Sequence, residues 1–161
     1  MTTQSINVNA FTLAAREGRT REPLDILGAE VLVKLGRVDT SDAAAIFYQN
    51  VPPMSGPPLH RHSREDEWFY ILDGKITTEI DGQRTVLQAG GSAFAARGTT
   101  HTFQNFSGAV AKMLVMVTPG VFQQFFEELS SLNSGLPSPD MARTERLMQA
   151  YGIELLGPPL S

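Results

Sequence analysis

The feature that most constrains the fold of this chain is a series of short β-forming segments separated by turns. Apolar and polar residues alternate in AEVLVKLG (29–36), and AAAIFYQNV (43–51) and WFYIL (68–72) are rich in strand-forming residues. The segments KITTEI and QRTVLQ flank Asp81-Gly82, a dipeptide that favours the positive φ angles of a tight hairpin. Such segments, with turns about every eight to twelve residues, predict an all-β domain, either an antiparallel sandwich or a barrel.

The pattern changes from strands to helices after Pro119. Apolar residues recur at helical spacing in GVFQQFFEELSSL, and a second helix is predicted with Ser138 as its N-cap and its end near Ala150. The last residues, GIELLGPPLS, are expected to lie extended against the domain. The predicted regions are an N-terminal extension (1–23), a β-barrel (24–118) and a C-terminal helical segment packed on the barrel (119–161).

Composition excludes several classes of function. The 161 residues are 42% hydrophobic and 19% charged, which is typical of a globular protein. The net charge of -4 and the lack of a basic run argue against nucleic acid or an anionic membrane as a partner. The sequence has neither a leader pattern nor a run near the ~18 apolar residues of a membrane span, so a cytoplasmic protein is expected.

The three histidines stand at the starts of predicted strands. His60 and His62 are one residue apart, so on a strand their imidazoles project to the same side, roughly 6.6–7 Å apart at the backbone. His101 follows a glycine-rich turn and opens another strand. The candidates for an accompanying carboxylate are Glu65, Asp66 and Glu67. With no cysteine in the chain, any metal must be held by such histidines and carboxylates.

The spacing of these residues resembles the two motifs of the cupin superfamily. The first motif is matched by His60, His62, Glu67 and Gly74, and the second by Gly90, Gly98, His101 and Asn105. The match departs from the family pattern at Gly56, which lies four residues before the first histidine, and at Ala96, which stands in place of a proline. The resemblance implies a jelly-roll, double-stranded β-helix barrel with C-terminal α-helices and a metal near one mouth.

The same resemblance implies which residues form the site. His60, His62, Glu67 and His101 are expected to bind one divalent transition metal ion (Fe, Mn, Ni or Zn), with Glu65 and Asp66 as solvated loop charges. The tail is similar to that of bacterial cupins described as quercetin-dioxygenase-like. A metal-dependent dioxygenase acting on a small aromatic or enol/diketone compound is therefore expected, with Glu67 also as the catalytic base. The expected substrate-binding residues are Phe47, Met54, Phe69, Phe103 and Met113.

Two other functions are also compatible with the sequence. The chain is alternatively a non-catalytic small-molecule-binding cupin, or a metal-dependent isomerase or lyase. The latter requires extra acid–base groups, for which Tyr48, Tyr70 and Gln104 are candidates.

A stripe of phenylalanines in the first helix is predicted to pack over the barrel mouth or against a second subunit: Phe122, Phe125 and Phe126. A homodimer is expected, because a lone sandwich leaves strand edges and apolar surface to cover.

Overall fold

The computed structural model describes residues 10–161, which form eleven strands, two α-helices and two short 3-10 helices. The strands are β1 (Leu24–Ile26), β2 (Ala29–Leu35), β3 (Ala45–Val51), β4 (Leu59–His62), β5 (Asp66–Asp73), β6 (Lys75–Ile80), β7 (Gln83–Gln88), β8 (Ser92–Ala95), β9 (His101–Gln104), β10 (Ala111–Thr118) and β11 (Ile153–Gly157). The helices are α1 (Gln123–Asn133) and α2 (Met141–Ala150), and the 3-10 helices are Arg37–Thr40 and Gly120–Phe122.

The strands form two antiparallel sheets. One sheet has six strands in the order β1-β2-β3-β10-β5-β8, and the other has five in the order β11-β4-β9-β6-β7. The all-β class with C-terminal helices is thus confirmed, although the sheets do not close into a strict barrel. Because consecutive strands often lie in different sheets, residues that are distant in sequence meet between the two layers.

The core lies between the sheets and follows the two-residue period of the strands. Along β3 and β10, buried residues alternate with half-buried ones, and the buried set includes Phe47, Met113, Val115 and Val117. Burial of apolar side chains stabilises such an arrangement by about 25 cal/mol for each Å² removed from water. The alternation therefore determines which face of each strand looks inward.

The predicted hairpin at Asp81-Gly82 is confirmed. Ile80 of β6 pairs with Gln83 of β7, so that two residues connect the strands. Asp81 and Gly82 have φ angles of 47° and 79°, the left-handed conformation at both central positions that a type I′ turn requires.

The C-terminal segment contains both helices and a strand. α2 begins at Met141 with Asp140 as its N-cap, and the Asp140 carboxylate accepts a hydrogen bond from the Arg143 backbone N–H at 3.0 Å. The prediction that Ser138 caps this helix is wrong. The backbone N–H of Asp140 donates a hydrogen bond to Oδ1 of Asn133 at 2.9 Å, and the helix begins directly after Asp140. The final residues are extended, as predicted, and pair as β11 with β4.

Residues 10–23 form neither helix nor strand. They are attached to β2 by Lys34, whose ammonium donates hydrogen bonds to the carbonyl oxygens of Ala14, Ala15 and Glu17 at 2.6–3.1 Å. The first nine residues of the predicted N-terminal extension lie outside the described residues. Within residues 10–161, neither helix is long and apolar enough to cross a membrane.

Candidate metal centre

The three histidines lie on two adjacent strands of the five-stranded sheet. His60 and His62 are the buried residues of β4, while Arg61 between them faces outward and pairs with Glu154 at 2.7 Å. His60 is the direct cross-strand partner of His101, the first residue of β9. Glu67 comes from β5 in the opposite sheet and faces inward with Phe69. The site therefore draws its side chains from both layers.

The four side chains converge on a small volume. One ligand atom from each of His60, His62, Glu67 and His101 lies within 4.8 Å of the others, and all four residues are buried. The Glu67 Oε2 atom is 2.6 Å from Nε2 of His101 and 3.4 Å from Nε2 of His62. The structure thus brings together all four residues that the sequence predicts as metal ligands.

The outer nitrogen of each imidazole has a hydrogen-bond acceptor. Nδ1 of His60 is 2.7 Å from the carbonyl oxygen of Pro58, and Nδ1 of His101 is 2.9 Å from that of Thr99. A carbonyl oxygen can only accept, so Nδ1 carries the hydrogen in both rings. This leaves Nε2 as the inward-facing nitrogen, the arrangement that second-shell partners impose on metal-binding histidines.

Glu65 provides the hydrogen-bond acceptor for Nδ1 of His62. Its Oε2 atom lies 3.2 Å from Nδ1 of His62, and the side chain is only 2% exposed. The prediction that Glu65 is a solvated loop charge is therefore wrong, because the turn between β4 and β5 folds its carboxylate back against the histidine. Asp66 is the outer of the two neighbouring acids and forms an ion pair with Arg97 at 2.9 Å.

Burial and mutual charge set the protonation of the centre. Burial, with repulsion from His101, lowers the pKa of His60 to about 4. Burial alone would raise the pKa of Glu67, but the neighbouring histidines outweigh it and lower that pKa to about 2. Burial likewise opposes protonation of His101, yet its hydrogen bond and attraction to Glu67 raise the pKa of that imidazole. At neutral pH the Glu67 carboxylate is therefore ionised and the His60 imidazole is neutral, while the raised pKa of His101 favours its protonated form.

This donor set fits a divalent first-row transition metal. Imidazole nitrogens suit Zn, Cu, Fe and Ni, whereas Mg and Ca take sites built from oxygen ligands. The centre offers three imidazoles and one carboxylate, and the described residues contain no thiolate ligand. His60, His62, Glu67 and His101 are accordingly the residues that can hold such an ion.

A cavity of about 110 Å³ opens beside the centre and is lined mainly by apolar side chains. One water molecule occupies roughly 10–15 Å³ of such a cavity, so there is room for a small organic ligand. Its walls include three of the four centre residues, His60, His62 and Glu67, and the phenylalanines Phe69, Phe103, Phe122, Phe125 and Phe126.

The predicted substrate-binding residues occupy different places. Phe69 and Phe103 line the cavity. Phe47 and Met113 do not line it; they are fully buried elsewhere in the core, where the Phe47 ring packs against Phe126 with centroids 4.9 Å apart. Met54 does not line the cavity either, since it is 65% exposed in a turn outside the strands.

Several cavity residues come from segments to which the sequence assigned only packing. Phe122, Phe125 and Phe126 all line the cavity. Thr144 and Met148 of α2 line it as well. The helical spacing of the phenylalanines was a usable signal for a common face, but it did not indicate which part of the sandwich that face covers.

The chain matches known proteins over its β region. The family model described as "Cupin domain" matches residues 47–117. Quercetin 2,3-dioxygenase of Bacillus subtilis is 31% identical over 93 residues, which cover 56% of this chain and 27% of that protein. An oxalate-binding protein of Thermotoga maritima is 30% identical over 67 residues, which cover 42% of this chain and 55% of that protein. The chain thus spans less than two thirds of either relative.

The fold has matches among solved structures. An RmlC-like cupin from Shewanella frigidimarina superposes with a TM-score of 0.55 at 17% identity, over 69% of this chain and 91% of that one. This likeness confirms the jelly-roll fold that the sequence predicts. The two sequence motifs, the two facing sheets and the family match all agree that residues 47–117 of this chain form a cupin domain.

Proposed function

We propose that this protein is a metal-dependent dioxygenase that acts on a small aromatic or enol/diketone compound. The observation that carries the proposal is the opening of a buried centre of three histidines and one carboxylate into an otherwise apolar cavity. A bound divalent metal supplies a Lewis acid for the substrate oxygens, and iron in such histidine–carboxylate sites supports chemistry with O2. The similarity to quercetin 2,3-dioxygenase agrees with this reaction class.

The cavity walls support an aromatic or enol-bearing substrate. Phe69 and Phe103 contact each other edge to face with centroids 5.9 Å apart, and Phe122 faces His62 with centroids 5.1 Å apart. Such surfaces favour a flat apolar ligand and exclude water from it. No lysine or arginine among residues 10–161 lines the cavity, so a ligand that relies on an anionic group finds no cation from the protein there.

Glu67 is the proposed catalytic base. Its Oε2 atom lies among the imidazoles and borders the cavity, and its lowered pKa keeps it ionised at neutral pH. The carboxylate is therefore free to accept a proton, with His101 at 2.6 Å beside it, and a phenol or enol hydroxyl would be acidic enough to donate one when a bound divalent metal lowers the pKa of that hydroxyl.

The other functions receive different degrees of support. Non-catalytic binding of a small molecule is supported by the similarity to the oxalate-binding protein. An isomerase or lyase is less well supported, because its candidate acid–base groups lie outside the cavity. Tyr48 and Tyr70 occupy the outward positions of β3 and β5, and Gln104 lies on the opposite face of β9 from His101 and Phe103.

Metal content tests the centre. Purified protein should contain close to one transition-metal ion per chain by elemental analysis, and His60→Ala and His101→Ala should lose it. Arg61→Ala is the matched control, because Arg61 lies on the same strand as His60 but on its outer face. Metal retained after removal of all three histidines contradicts the site.

Oxygen consumption separates the enzyme from the binding protein. The Fe(II) form is incubated with flavonols, catechols and β-diketones in an oxygen-electrode cell. Uptake of O2 with any of them, abolished by Glu67→Gln, supports the dioxygenase. Binding of these compounds without oxygen uptake supports the non-catalytic alternative.

A homodimer and a cytoplasmic location remain part of the proposal. The outer face of the six-stranded sheet supports the dimer, because one cross-strand row joins apolar side chains of four neighbouring strands. From β3 to β8 this row consists of Ile46, Met116, Trp68 and Phe94. A second copy packed on this face would cover it. Cell fractionation tests the location.

A further inference from the structure

We propose that Gln49 determines ligand specificity by binding a polar group at the end of the ligand remote from the metal centre. This inference rests on the proposed function and names the class of compound that the cavity accepts. That class is a neutral molecule with an oxygen at the metal centre, an apolar middle, and a hydroxyl or carbonyl group at its other end.

Gln49 occupies a position that the fold otherwise gives to apolar residues. It lies on the inward face of β3, where the other inward residues are Ala45, Phe47 and Val51. Its side chain is 7% exposed, and it lines the same cavity as Glu67. A polar residue in this row interrupts the apolar pattern of the strand, so it calls for a functional or structural explanation.

The Gln49 amide has no hydrogen-bond partner among residues 10–161, whereas two other buried amides are satisfied. Asn105 donates to the carbonyl oxygens of Val51 at 3.0 Å and Ala109 at 2.8 Å. Gln123 accepts a hydrogen bond from Arg37 and donates one to Glu127, both at 2.7 Å. Oε1 of Gln104 is also buried without a partner among the described residues, but Gln104 does not line the cavity. A buried amide costs free energy unless it is hydrogen-bonded, so the Gln49 amide at the cavity wall points to a partner that enters the cavity.

The strand register separates Gln49 from the metal centre. Glu67 is the cross-strand partner of Val117 on β10, and Gln49 is the partner of Met113 on the same strand. Val117 and Met113 are four residues apart, which is roughly 13 Å along a strand. Between these levels the cavity is lined by Phe69 and Val115, which are direct cross-strand partners. A ligand that reaches both polar groups therefore passes over an apolar surface.

The test uses a pair of β-diketones that differ in one hydroxyl group. 1-Phenyl-1,3-butanedione and its 4-hydroxyphenyl derivative are titrated into the manganese-loaded protein by calorimetry. The wild type should bind the hydroxylated compound at least about fivefold more tightly, because that hydroxyl pairs with the amide. Gln49→Met should lose this preference while keeping its metal and its affinity for the parent compound. Gln83→Met, an exposed glutamine on β7, should behave as the wild type.

The outcomes distinguish this inference from the proposed function. An equal preference for the hydroxylated compound in the wild type and in Gln49→Met overturns the role of Gln49 and leaves the metal centre unaffected. Failure of the wild type to bind either diketone contradicts the proposed function, and the role of Gln49 falls with it.

A measurement without any ligand gives a second test. If the Gln49 amide is unpaired in the empty cavity, Gln49→Met should raise the melting temperature of the metal-free protein by about 2–4 °C. Gln83→Met should leave that temperature unchanged. A lower melting temperature for Gln49→Met would show that the amide supports the fold and would overturn the inference.

Discussion

Glu65 is a carboxylate that contacts the candidate metal centre without belonging to its predicted ligand set. It accepts from Nδ1 of His62 at 3.2 Å, so it orients the ring and increases the electron density on Nε2. The sequence motif could not reveal this, because spacing along the chain does not show whether a turn residue folds inward. Its neighbour Asp66 has the same charge but lies nearer the surface beside Arg97.

We therefore expect Glu65→Ala to weaken metal binding by about 10–100-fold, which is typical for the loss of a partner behind a ligand. Glu65→Gln should have a smaller effect, since its amide oxygen can still accept the hydrogen bond. Competition titration with a chromophoric chelator measures both affinities. Asp66→Asn is the control, and equal affinities for Glu65→Ala and Asp66→Asn would contradict this role.

His60 makes the stability of the metal-free protein depend on pH. Its imidazole takes up a proton near pH 6.5 in the unfolded chain but only near pH 4 in the folded protein. The unfolded state therefore binds more protons between these values, and the free energy of unfolding decreases as the pH falls through this window. His101 has a raised pKa, so its contribution is fully present below pH 6.5 and is lost at higher pH.

Replacing His60 by leucine should remove this dependence. Between pH 6.5 and 5 the metal-free wild type should lose about 1–2 kcal/mol through His60, whereas His60→Leu should lose correspondingly less. Urea denaturation at the two pH values, with a chelator present, measures the difference. Glu67 does not confuse the result, because its pKa is lowered to about 2 and its effect begins nearer pH 4.5. Identical losses in both proteins would exclude His60 as the cause.

At the level of the elements, α2 depends on its N-cap. The carboxylate of Asp140 accepts from the Arg143 N–H, and Asp140→Ala should reduce the free energy of unfolding by about 0.5–2 kcal/mol. Asp140→Ser should retain most of this stability. Ser138→Ala is the matched control, because Ser138 precedes the helix without capping it. A loss for Ser138→Ala equal to that for Asp140→Ala in urea denaturation would contradict this assignment.

The strands and the inward-facing His60–His62 pair could be predicted from the sequence because both depend on a two-residue period, whereas the places of Glu67 and His101 came from the resemblance to the cupin motifs. Alternation identifies inward residues, and the His-x-His pair lies on one face of β4 for the same reason. The start of α2 could not be resolved, since Ser138 and Asp140 are both good caps and Asn133 decides between them through a contact formed only in the fold. The sequence did indicate that Gln49 faces inward, because it lies two residues after Phe47 on the same strand. Only the structure shows that a cavity lies beside it.

At the scale of the whole molecule, the proposed dimer depends on a row of apolar residues in which Phe94 is exposed and Trp68, Met116 and Ile46 are half-buried. Phe94 is 59% exposed and pairs across the sheet with Trp68, which in turn pairs with Met116. We expect Phe94→Glu to shift the protein towards monomer in analytical ultracentrifugation at low micromolar concentration. Val86→Glu is the control, because Val86 is equally exposed but lies on the other sheet. A monomeric wild type at all concentrations would contradict the dimer.

The ligands of the centre are divided between the layers: the histidines belong to one sheet and Glu67 to the other. An ion bound there would connect the two sheets directly, and a sandwich whose layers are cross-linked in this way resists separation. Occupancy should thus be readable from thermal unfolding, with about 4 kcal/mol of added stability when free metal exceeds its dissociation constant a thousandfold. A melting curve recorded with each candidate ion in turn would then rank the metals before any substrate is known.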